Sequence, residues 1–186
     1  MPGGSGAVTR GVVVMGVAGC GKSTVGTLLA ARLGGTFVDA DDLHPPANVA
    51  KMTAGTPLTD DDRAPWLARV ADVLRAGADA GTRTVVACSA LRRPYRDALR
   101  HEAGGDLAFV HLHGDRDLLA ARIAARADHF MPPELLDSQL ATLEPLGADE
   151  TGLVLDVARR PAHLVGVVAD WMSAEGPRKL RPTPSR

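Results

Sequence analysis

Val12-Val13-Val14-Met15-Gly16-Val17-Ala18-Gly19-Cys20-Gly21-Lys22-Ser23-Thr24 is the stretch on which the fold turns. Four apolar residues lead into the spacing G-x-x-x-x-G-K-[ST], and a helical pattern follows from about Lys22 to Leu33, with Val25, Leu28, Leu29 and Leu33 expected inward. Strand, glycine loop and helix in that order predict a phosphate-binding loop. Its glycines let the backbone curl so that successive N–H groups face inward. Lys22 brings a charge to the β and γ phosphates, and Ser23 offers a hydroxyl to Mg²⁺. Thr24 lies in the first helical turn, also within reach of phosphate. Gly16, Val17, Ala18, Gly19, Cys20, Gly21, Lys22, Ser23 and Thr24 are therefore the expected binding residues for ATP.

Outward from this loop, short apolar runs alternate with helical spacing. Thr36 to Val38, Thr84 to Cys88, Leu107 to Leu112 and Leu153 to Val157 read as further strands. The longest helices are expected over about Arg63 to Ala80, with Leu67, Val70 and Leu74 inward, and Arg116 to Ala127, with Leu119 and Ile123 buried. Five strands with interposed helices predict an α/β sandwich of three layers around a parallel sheet. The 186 residues suit one domain, expected over residues 11–173 between flexible tails at 1–10 and 174–186.

Composition narrows the classes. With 45% hydrophobic and 23% charged residues and a formal net charge of -1, the chain reads as a globular protein and not as a general nucleic-acid binder. No apolar run approaches the roughly 20 residues that span a bilayer. The first residues lack the charged start and apolar stretch of a secretion signal, so a cytoplasmic location and no membrane partner are expected. Cys20 and Cys88 have neither zinc spacing nor a disulfide framework around them. Cys20 reads as a tolerated small residue of the loop.

Carboxylates and arginines sit at the expected strand ends, where parallel sheets hold ligands. After the second strand comes Asp39-Ala40-Asp41-Asp42-Leu43-His44-Pro45. Strand period puts Asp39 and Asp41 on one side. Phosphoryl transfer needs a carboxylate for the magnesium waters, which suits Asp39, and another to orient or deprotonate the attacking hydroxyl, which suits Asp41. A polar turn that caps the next helix, with Asp42 as the cap, is the alternative. Arg63, among Asp60, Asp61 and Asp62, can clamp a substrate or pair with Asp60 or Asp62. Ser89 lies at the end of the third strand, and Arg92 or Arg93 suits an anionic substrate. Arg92, Arg96 and Arg100 at i, i+4 spacing otherwise read as a solvated helix face. Arg122 and Arg126 precede Ala127 to Pro133, a segment read as a lid that would exclude water and bring arginine to the phosphoryl group.

Several of these words together resemble the small P-loop gluconate kinases, relatives of shikimate and adenylate kinases. The likeness runs over about residues 12–172 through the phosphate loop, Asp39 to Pro45, Lys51-Met52, Pro57 to Leu67, Cys88 to Arg93 and His129-Phe130-Met131. It implies ATP- and Mg²⁺-dependent phosphorylation of D-gluconate at its 6-hydroxyl, a five-stranded parallel sheet and a homodimer. By the same likeness Asp41, His44, Lys51, Arg63, Ser89, Arg92 and Arg93 fall on the substrate side. Arg122 and Arg126 fall over adenine and phosphates, and Lys22, Asp41 and Arg126 carry the chemistry. Cys20 stands where many relatives have Ser or Gly. A kinase of another acceptor, such as shikimate or a nucleoside monophosphate, is the nearest rival. A guanine-reading switch is disfavoured because Asn48 is followed by Val49-Ala50-Lys51, not by the Asn-Lys-x-Asp base motif.

Overall fold

Branched apolar residues without polar interruption make a strand that can be buried on both faces. β1 (Gly11–Met15) is buried at every position. The computed structural model describes residues 9–125 and 133–173, and β1 lies at the centre of its five-stranded sheet. The order is β2 (Thr36–Asp39), β3 (Thr84–Ala87), β1, β4 (Leu107–His113), β5 (Gly152–Asp156), and every neighbouring pair is parallel. The chain moves one way from β1 to reach β2 and β3 and the other way to reach β4 and β5. That reversal opens a crevice at the carboxyl ends of the central strands.

Parallel neighbours require crossovers, and helices supply them: α1 (Lys22–Leu33), α2 (Pro46–Thr53), α3 (Asp60–Asp79), α4 (Arg93–Glu102), α5 (Arg116–Ala124), α6 (Pro133–Thr142) and α7 (Pro161–Ser173). Side chains alternate along a strand, so β1 feeds two cores. Val12 and Val14 pack with Leu29 of α1 and Leu164 and Val168 of α7. Val13 and Met15 pack with Val70 and Leu74 of α3 and Leu99 of α4 on the opposite face. The result is the three-layer sandwich expected from the sequence.

Four details differ from expectation. Leu28 is 44% exposed. The buried stripe of α1 runs through Val25, Gly26, Leu29 and Ala30 because Gly26 lets the helix settle on the Phe37 ring. Leu28 is left about 130° around the helix from that stripe. The helix at Arg116 stops at Ala124, and Ile123 is only half-buried against the core. Thr9 is buried and the Arg10 carbonyl accepts from the Thr84 N–H at 2.9 Å, so the folded unit already includes residues assigned to the N-terminal tail. Arg126 and the lid residues 127–132 lie outside the described residues, as does the C-terminal tail, while Pro133 opens α6.

Candidate active site

The phosphate loop leaves β1 through Gly16, whose φ of +140° is closed to most side chains. A Cβ there would also stand 2.7 Å from the Leu112 carbonyl oxygen and 2.9 Å from Cys20 Sγ. Gly21, at φ +92°, is the N-cap of α1, and no side chain caps that helix. Its first N–H groups are thus left for an anion, with the positive end of the helix behind them. Lys22 Nζ reaches back over the loop to the Val17 carbonyl at 3.1 Å. Burial pushes the Cys20 thiol up, against the pull of Lys22, so the sulfur packs as a protonated thiol and is no nucleophile. The Ala18 N–H is held from outside the loop: it donates to Gln139 Oε1 of α6 at 2.7 Å.

Ser23 and Asp39 meet. The hydroxyl donates to Asp39 Oδ2 at 2.6 Å, while Asp39 Oδ1 accepts from the Asp41 N–H at 3.1 Å. Asp39 therefore ends β2 and caps a 3-10 turn, Ala40–Leu43, that contains Asp42, while Pro45 takes the N-cap of α2, the role that sequence reading offered to Asp42. Because the strand ends there, the relation of Asp39 to Asp41 comes from this turn and not from strand alternation. Hydroxyl and carboxylate oxygens are the hard donors that Mg²⁺ takes, and it needs only one or two from protein when phosphates and water supply the rest. Among the described residues no group of three or more acidic, His or Cys side chains forms an all-protein cage. The pair fits a magnesium ion shared with phosphate.

Asp41 opens to solvent at the mouth of the crevice. The protein crowded around it, and then the charge of Asp39, push its carboxyl above the ordinary aspartate value, with Lys22 and His44 pulling the other way. Its turn is anchored by Trp66, whose indole N–H donates to the Ala40 carbonyl at 2.7 Å. His44 stacks on the same indole, with ring centroids 4.4 Å apart, and burial lowers its imidazole so that it is neutral at pH 7.

Opposite, the N-terminus of α3 gathers a second cluster. Asp60 accepts from Arg92 Nη1 at 2.9 Å and from the Tyr95 hydroxyl at 2.6 Å. The guanidinium groups of Arg63 and Arg92 lie 5.7 and 5.4 Å from the centre of the Tyr95 ring. Arg63 reaches Asp60 only at 3.9 Å and donates to the Leu58 carbonyl, so neither pairing offered for it from sequence is a tight one. Asp62 is occupied elsewhere. It completes a capping box with Thr59 and takes Lys51 Nζ at 2.6 and 2.8 Å, and that bond first of all holds its carboxyl at about 2. Lys51 is thereby tied to the start of α3.

Arg92 and Arg93, alternatives in the sequence, have separate fates. Arg93 puts Nε on Asp97 at 2.9 Å and its two terminal nitrogens on Asp149 at 3.0 and 2.7 Å, so both edges of the guanidinium are engaged. Ser89 links the two halves of the site, because its carbonyl accepts the Gly16 N–H at 3.3 Å. On the far side of the loop a cleft of about 240 Å³ is lined by Gly19, Thr24, Arg122, Val157, Arg159 and Pro161. Arg122 is fixed there by a 2.7 Å bond to the Val157 carbonyl, whereas Arg126 is not described. Sequence reasoning missed Gln139, Tyr95, Arg159 and the anchoring role of Trp66. Only Tyr95 carried a local signal, its place three residues after Arg92.

Phosphate grip, an oxygen pair for magnesium, a cleft beside the phosphate loop and acceptor-side cations along one sheet edge make this a P-loop kinase. Comparison with known proteins sharpens the class. The family model described as AAA domain matches residues 12–146. The gluconokinase of Gluconobacter oxydans (strain 621H) is 53% identical over 154 residues, covering 82% of this chain and 85% of that protein. A solved gluconokinase from Sinorhizobium meliloti 1021 superposes with a TM-score of 0.80 at 46% identity, covering 89% of this chain and 93% of that one. A sugar kinase from Janibacter sp. HTCC2649 gives 0.82 at 46% identity, over 90% and 98%. The chain belongs to the gluconokinase family.

Proposed function

We propose that this enzyme transfers the γ-phosphoryl group of ATP to the 6-hydroxyl of D-gluconate, giving 6-phospho-D-gluconate and ADP. The observation that carries the reading is the closeness to gluconokinases over nearly their whole length. The local geometry supports it. The loop N–H groups and Lys22 would hold the phosphates, the base would lie in the cleft beside Arg122 and Arg159, and Ser23 with Asp39 would hold Mg²⁺. The metal, when bound, offsets charge on the β and γ oxygens.

Asp41 orients the 6-hydroxyl and accepts its proton as that oxygen bonds to phosphorus and the bond from phosphorus to the ADP oxygen breaks. Arg63 and Arg92, both held close to the Tyr95 ring, take the substrate carboxylate, with Ser89 and His44 lining the same side. Lys51 and Arg93 support this surface without facing the substrate. The enzyme acts as a homodimer in the cytoplasm, and light scattering of the purified chain tests the assembly.

A coupled ADP-release assay with Mg-ATP and a panel of gluconate, shikimate and nucleoside monophosphates tests the activity. Turnover with gluconate above the other acceptors is expected. Absence of gluconate-dependent turnover overturns the reading.

A further inference from the structure

Arg96 is the largest fully buried side chain among the described residues. A guanidinium removed from water is costly unless its donors are paired, and here all three nitrogens have acceptors. Nε and Nη2 grip the two oxygens of Glu150 at 2.8 and 2.9 Å, and Nη2 also donates to the Pro145 carbonyl at 3.1 Å. Nη1 donates to the carbonyls of Glu144 at 3.1 Å and of Ala90 and Leu91 at 3.3 Å. Glu150, 1% exposed, accepts further bonds from the Gly147 N–H at 2.8 Å and from Arg100. Burial by itself would raise this carboxyl. Arg96, Gly147 and Arg100 outweigh burial and hold it below the ordinary glutamate value.

The turn that Arg96 grips is unusual. Ala90 has φ +42°, the one non-glycine residue with positive φ among the described residues, and it is 1% exposed. A Cβ disfavours that conformation, which persists only where the surroundings over-determine it. On one side of Ala90, the Ser89 carbonyl holds the phosphate-loop Gly16 N–H. On the other, Arg92 flanks Tyr95 and pairs with Asp60. Relaxation at Ala90 would move both. The strap from Glu144 to Glu150 forms the opposing wall: the Glu144 N–H donates to the Leu91 carbonyl at 2.8 Å, and its carboxylate accepts the Arg93 N–H at 2.6 Å. A buried ion pair is often replaceable by apolar side chains without loss of stability, so its use here is better sought in the geometry it holds.

We propose that Arg96, together with Glu150, is a positioning residue that holds the left-handed turn at Ala90, fixing Ser89 and Arg92 for the acceptor and so setting affinity for acceptor over nucleotide. This rests on gluconate being the acceptor. The test compares the full chain with the double variant Arg96→Met/Glu150→Leu, measuring KM for gluconate and for ATP separately alongside thermal unfolding. The folded variant should raise KM for gluconate about tenfold or more, the loss expected for one misplaced charged hydrogen bond, with a smaller rise of about threefold in KM for ATP carried through the Ser89 carbonyl to Gly16. Glu150→Gln, which keeps shape and loses charge, should shift KM for gluconate in the same direction, and it decides the matter if the double variant does not fold. An unchanged KM for gluconate, or equal rises for both substrates, overturns the proposal. A wild-type chain without gluconate turnover would instead overturn the acceptor reading, and this inference with it.

Discussion

Replacing Asp41 by Asn keeps the shape of the side chain and removes its ability to take a proton. Its backbone N–H, which donates to Asp39 Oδ1, is untouched, so the 3-10 turn should survive. General-base assistance is worth about 10²- to 10⁴-fold, or roughly 2.7–5.5 kcal/mol of transition-state stabilisation. A coupled ADP-release assay should therefore show kcat reduced in that range, while nucleotide affinity, measured by calorimetry, is unchanged. Stability should move the other way. Crowding and then Asp39 raise the folded carboxyl above its unfolded value, so the ionised form is disfavoured in the fold once pH exceeds both values. Asn removes that penalty, and Tm at pH 7 should hold or rise. The pH profile adds a third check. In the wild type, kcat/KM should fall on the acid side through an apparent pKa above the ordinary aspartate value of 3.8, and this limb should vanish in Asp41→Asn. Near-normal turnover would refute the role of Asp41. A lower Tm would show that its side chain is structural.

Other substitutions separate the remaining parts. Ser23→Ala and Asp39→Asn should each raise the Mg²⁺ concentration needed for half-maximal rate by about tenfold or more, read by titrating Mg²⁺ at fixed ATP; an unaltered Mg²⁺ requirement would remove the pair from the metal site. Gln139→Ala leaves the Ala18 N–H without its acceptor and should raise KM for ATP about three- to tenfold with little change for gluconate. Arg92→Ala should raise KM for gluconate about tenfold or more. Arg93→Ala should leave KM for gluconate unchanged and lower Tm through its lost bonds to Asp97 and Asp149, at about 2–4 °C for each kcal/mol in a chain of this size. The reverse pattern would return Arg93 to the substrate side.

How much was legible follows from the range of the interactions. The phosphate loop, the buried central strand and the acidic turn after β2 are each encoded within about a dozen consecutive residues. Their chemistry is local: glycine torsions, apolar runs, a hydroxyl and carboxylates at strand ends. Such words set the parallel α/β fold and brought Lys22, Ser23, Asp39 and Asp41 to one sheet edge before any coordinates. Tertiary structure alone decided which like-charged neighbour does what. Arg92 and Arg93 are adjacent in the chain, yet Asp60 takes one and Asp149 the other. Arg96 belongs to a run that reads as a solvated face and is instead sealed inside by Glu150, 54 residues away. Gln139 reaches the phosphate loop across 121 residues. An arginine's environment is set by the carboxylates that packing brings to it, and that information lies in the meeting of distant segments, not in the residue's own surroundings along the chain.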